Sequence, residues 1–116
     1  MNKNECFEKL YEIADYKDGW SNYGNGHAFS KLLIERCGRM LEQMNISPKI
    51  MPTVEDAICF QYDTDNIGFE IAVSNEEITG FVSDSSDNTS LFVFETEMDA
   101  VNFWNVIVGR LSESFK

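Results

Sequence analysis

Between Lys49 and Arg110 the sequence contains no lysine, arginine or histidine. A segment without a cation repels phosphate, so direct nucleic-acid binding is excluded as a reading of this chain. Residues for metal and thiol chemistry are equally sparse. The one histidine is His27, and the three cysteines, Cys6, Cys37 and Cys59, are widely spaced with no Cys-x-x-Cys or His-x-x-x-His pair. Zinc ligation at its usual spacings is therefore excluded, and an odd number of cysteines among apolar neighbours fits reduced core thiols better than a disulfide framework. A thiol nucleophile would need His27 as its base. Cys37 stands ten residues further along the helix expected to begin at His27, about 15 Å away at the helical rise. No glycine-rich phosphate loop is present, because GNGHAFSK lacks both the preceding strand and the lysine spacing. The apolar runs are only a few residues long, and the opening residues MNKNECFEKL have neither a hydrophobic signal region nor a small-residue cleavage site. The expectation is a cytoplasmic chain with no cofactor and no membrane partner.

What the sequence does have is core-forming residues and acid. Of 116 residues 43% are hydrophobic and 13% aromatic, enough for one folded domain over residues 1–116. The formal net charge of -11 is unevenly placed: residues 1–46 hold seven acids and six bases, whereas residues 47–116 hold thirteen acids against Lys49, Arg110 and Lys116. Such a surface favours a basic protein or a cation.

Periodicity divides the chain into helices and strands. Phe7, Leu10, Tyr11 and Ala14 predict an amphipathic helix over 3–16, with Asn2 and Glu5 as its capping pair. A second helix is expected from about His27 to Met44, its apolar stripe formed by Phe29, Leu33, Cys37, Met40 and Met44 with Leu32 and Leu41 beside it. After Pro48 the pattern alternates. The residues predict a short edge strand at 48–52, strands at 57–62 and 67–73 joined as a hairpin, and further strands at 77–82 and 91–95. Thr96 and Asp99 open a third helix carrying Val101, Trp104, Ile107, Val108 and Leu111. The fold class is therefore α+β: two N-terminal helices, an antiparallel meander of four or five strands and a C-terminal helix. Phe81, Phe92 and Phe94 alternate with Ile78, Val82, Leu91 and Val93, so the last two strands read as apolar on both faces. Either helices cover each face, or a patch around Phe81, Phe92 and Phe94 is exposed for self-association, making a homodimer one expectation.

The stretch DGWSNYGNGH, followed by PKIMPTVEDAICFQY and IGFEIAVSNEEITGFV, resembles a class of small, largely uncharacterised bacterial and phage proteins. These have a Gly-Trp-Asp-Gly-x-Gly loop before a helix and then a Pro-Thr-x-Asp-Gly segment leading into a strand that ends in tryptophan. Gly19, Trp20, Tyr23, Gly24, Pro52 and Thr53 match; Ser21 and Asn22 replace the acid and glycine, Asp56-Ala57 replaces the later Asp-Gly, and Tyr62 stands in the tryptophan position. The resemblance implies an α+β fold and a bacterial or phage origin, and it carries no activity. From the residues themselves, Trp20 and Tyr23 are expected to anchor the loop as a plug between helices and sheet. The alternative is a small-molecule site in the loop from Trp20 to His27.

Calcium is excluded at Asp63 and Asp65, which open like an EF-hand loop but lead to Ile67 and, at the twelfth position, Ser74. Glu55-Asp56 and Glu76-Glu77 fall in turns with no polar pocket visible in the sequence. The leading expectation is a non-enzymatic module in which Asp63, Asp65, Glu70, Glu76, Glu77, Asp84 and Asp87 replace phosphates against a basic partner. Such a partner would be a nuclease or defence effector, and the module an antitoxin, immunity or anti-defence protein. The contrasting expectation is that the acidity only keeps the chain soluble.

Overall fold

The computed structural model describes residues 2–86 and 88–113. Along the chain lie α1 (Lys3–Ala14), α2 (Lys31–Gln43), β1 (Lys49–Pro52), β2 (Ile58–Asp63), β3 (Ile67–Val73), β4 (Ile78–Asp84), β5 (Thr89–Phe94) and α3 (Glu97–Glu113). The five strands pair antiparallel in chain order, β1-β2-β3-β4-β5, the expected meander.

Each helix starts where a side chain satisfies its first free N–H groups. Asn2 accepts from Glu5 N at 2.8 Å, Ser30 from Leu33 N at 3.1 Å and Thr96 from Asp99 N at 3.0 Å. Two of the expectations need correction. The buried face of α1 is Cys6, Leu10 and Ile13, while Tyr11 is 62% exposed and Ala14 faces solvent, because the helix is rotated to bring the Cys6 thiol to Pro48 O. Also, α2 begins four residues after His27, since Ser30 is extended at ψ 151° and its side chain supplies the cap. Leu33, Cys37, Met40, Leu41 and Met44 are buried as the stripe requires, while Leu32 is 74% exposed. At the far end of α2, Asn105 of α3 accepts from Asn45 N and donates to Gln43 O, closing the helix from outside.

The register places Ile50, Phe60, Ile71, Gly80 and Phe92 in one row across the sheet, and Pro52, Ile58, Val73, Ile78 and Phe94 in another. This face meets Leu10, Leu33, Met40, Val101 and Trp104 in the core. Trp104 is fully buried, its Nε1 donating to Ile46 O at 3.0 Å, so its one polar atom is satisfied. Phe92 and Phe94 lie on this covered face, with ring centroids 5.0 and 5.4 Å from Phe103. The expected exposed patch of Phe81, Phe92 and Phe94 is thus split: only Phe81 points to the other side, where it pairs with Leu91.

Candidate functional site

Every hairpin turn is built on the same local device. The residue closing each outgoing strand donates its backbone N–H across the turn, and its side-chain oxygen accepts from the turn's own N–H groups. Thr53 does this for Glu55 and Ala57, Thr64 for Asn66 and Ile67, Ser74 for Glu76 and Glu77, and Asp84 for Ser86 and Asn88. With the turn backbone held from within, the described tip side chains project into water, among them the carboxylates of Glu55, Asp56, Asp65 and Glu76.

A meander sorts these tips to opposite ends of the sheet. Asp63, Asp65 and Asp84 stand at one end, and Glu76 and Glu77 at the other, with Glu55 and Asp56 beside them. A seven-residue strand such as β3 separates the two ends by about 23 Å. The seven expected binding carboxylates therefore do not form one cluster. Glu70 lies between the ends on the open face, half-buried and accepting from Gln61 Nε2 at 2.6 Å. Asp84 is held by its own loop: hydrogen bonds from Asn88 and Ser86 N–H lower its carboxyl below the ordinary range. Asp87 lies outside the described residues.

At the Glu76 end the turns enclose a groove of about 440 Å³, lined by Glu55, Asp56, Ala72, Asn75, Glu76 and Glu77 among others. Sequence reasoning missed this pocket, although Thr53 and Ser74, two strands apart at matching turns, were its legible signal. Asp56 adopts φ 66°, the one non-glycine residue with positive φ among those described. Its carboxylate reaches His27 Nδ1 at 3.1 Å, and Ser30 Oγ donates to Asn75 at 2.9 Å, so the chain before α2 forms the groove's flank. No Ser30–His27 contact completes a nucleophile and base pair. Among the described residues no three His, Cys, Asp or Glu side chains are grouped to hold a metal ion.

The loop from Gly19 to Gly26 is a structural corner. Gly19 N donates to Gly26 O at 2.7 Å and Ser21 N to Asn25 O at 3.0 Å, while Ser21 Oγ bonds Asn25 Oδ1. The indole of Trp20 lies over Gly26, where a Cβ would come within 2.7 Å of the ring, and its Nε1 donates to His27 O at 2.9 Å. Tyr16 and Phe29 flank it at 5.2 and 6.0 Å between centroids. Trp20 is half-buried and packs at the margin of the core. Tyr23, expected to anchor with it, does not: it stands 94% exposed at the tip, because Gly24 at φ 76° turns the chain back before the ring can reach the core.

On the sheet face opposite the core, Cys59 is the only buried residue among those described; Met51, Leu91 and Val93 are exposed, and Ala72, Thr79 and Phe81 half-buried. The groove shares Ala72 and Thr79 with this face, so carboxylate rim and apolar floor are continuous. The thiols are sequestered. Burial pushes Cys37 up to about 12, burial and then Glu70 push Cys59 up to about 12, and burial raises Cys6. No helix among the described residues is long and apolar enough to cross a membrane. No protein-family model, no curated protein and no solved structure matches the chain.

Proposed function

We propose that this chain is a non-enzymatic acidic module that binds a basic, nucleic-acid-handling protein and occupies its binding surface with carboxylates in place of phosphates. One observation carries the reading. Every lysine or arginine ion pair among the described residues lies in the helical layer, Lys9 with Glu12 in α1 and Arg36 and Arg39 of α2 with Glu97 of α3. The sheet's turns keep theirs unneutralised: Glu55, Glu76, Glu77, Asp63 and Asp65 are exposed and form no ion pair among the described residues. A fold that needed its acids for stability would pair them with the bases it has; unpaired carboxylates on rigid turns steer and orient a cationic partner. A role as antitoxin, immunity or anti-defence protein is the biological form such inhibition takes.

The test is affinity capture from a bacterial lysate at low and high salt, with nuclease treatment, using the native chain and a triple variant Glu55→Gln, Glu76→Gln, Glu77→Gln. The reading expects a basic nucleic-acid enzyme retained by the native chain at low salt, released at high salt and lost with the variant. Identical captured proteins from both chains, insensitive to salt, overturn it.

A further inference from the structure

The two edges of the sheet are built differently. β1 is four residues long, carries Lys49, ends in Pro52 and follows Pro48. Short length, lysine and proline are the means by which edge strands avoid pairing with another chain. β5 has none of them. Its six residues, TSLFVF, include no charge and no proline, and its register with β4 runs unbroken from Ser83↔Thr89 to Ile78↔Phe94, without a bulge. Leu91 and Val93 stand 75% and 72% exposed on the open face, next to Phe81 and Thr79 across the strand pair. An uncharged, regular strand with branched apolar side chains on its outer face is a template for one more strand.

The charge around this edge decides what pairs with it. Ile78 opposite Phe94 carries Glu77 and Glu95 to one end of β5, and the turn containing Asp84 stands at the other, with Asp63 and Asp65 beyond it at the same end of the sheet. A second copy pairing antiparallel through β5 would set the Asp84 turn of each chain beside Glu95 of the other, between two chains of formal charge -11. Like charges at both ends oppose that arrangement. A strand with apolar residues at its centre and lysine or arginine at its ends meets apolar surface in the middle and carboxylates at the flanks.

We infer that β5 is the docking edge for an extended, basic-flanked segment of the partner, added as a sixth strand with its apolar side chains against Leu91 and Val93. This rests on the proposed acidic-module function and specifies its contact. Main-chain hydrogen bonds to β5 supply affinity, and the carboxylate flanks supply selection.

The probe is a synthetic peptide with lysine pairs flanking alternating valine and threonine, tested beside the same peptide flanked by glutamates. The expected result is binding of the lysine form alone, slowed amide exchange across Ser90–Phe94, and about tenfold weaker binding to a Leu91→Lys, Val93→Lys variant that melts like the native chain, since edge lysines block pairing. Binding without added protection in β5 removes the edge and leaves the acidic-module reading standing. Equal binding and protection with both peptides keeps the edge but contradicts the basic partner. No binding of the lysine peptide, or β5 protection that rises with protein concentration alone, overturns the inference, the second by showing that another copy takes the edge.

Discussion

Asp56 Oδ1 lies 3.1 Å from His27 Nδ1, joining the β1–β2 turn to the loop before α2 across twenty-nine residues of sequence. The contact depends on Asp56 holding φ 66°, in the left-handed region that glycine enters freely and branched residues resist. The positive φ falls on the aspartate itself, and Ala57 follows it. Asp56→Gly should therefore leave stability within about 1 kcal/mol of native while Asp56→Val lowers it by about 1–3 kcal/mol. Chemical denaturation of both variants checks this; equal losses would contradict the conformational account.

Glu97 receives both Arg39 and Arg36, at 2.9 and 3.4 Å. The Arg39 hydrogen bond, with its charge and that of Arg36, holds the carboxyl below its ordinary value of 4.5 in spite of partial burial. A depressed folded pKa means the stabilisation is fully present above the unfolded value and fades as pH falls through the folded one. Glu97→Gln should lower stability by about 1 kcal/mol at neutral pH and weaken the loss of stability on acidification below 4.5. Urea midpoints between pH 3 and 7 read this directly.

Gly80 provides the space that Phe94 fills. A Cβ on Gly80 would come 2.8 Å from Phe94 Cε2 and 3.1 Å from Cζ, on the face where Phe94 also meets Phe103. Gly80→Val should cost about 1–3 kcal/mol by overpacking. In a Phe94→Ala background the same change should cost less, and a double-mutant cycle measures the difference.

The thiols of Cys6, Cys37 and Cys59 should react with a thiol reagent at pH 8 only as fast as the fold opens, since all three are buried and raised. In guanidinium all three should react at once. Rapid labelling of the native chain would contradict the burial.

Much of this architecture was legible in the residues. Alternation at Ile67–Val73, the caps Asn2 and Thr96 and the stripe from Leu33 to Met44 are local patterns, and local physics decides them. The rotation of α1 was not legible, because Cys6–Leu10–Ile13 and Phe7–Leu10–Ala14 are both helical faces, and tertiary packing, with the Cys6 thiol on Pro48 O, selects one. The facing of β5 was equally hidden. With apolar residues at Leu91, Phe92, Val93 and Phe94, only packing on Phe103 shows which pair is inside. The acidic surface was legible as composition and not as place: the turns display carboxylates, and the meander divides them between two ends.

The central claim is that carboxylates on the sheet's turns take the place of phosphates. Fluorescence anisotropy of a labelled oligonucleotide bound to the captured basic partner tests it, with the native chain added as competitor. The account predicts displacement at low salt, with the Glu55→Gln, Glu76→Gln, Glu77→Gln variant weaker by about tenfold or more. An oligonucleotide that stays bound while the chain joins the complex, or equal displacement by both proteins, would contradict it.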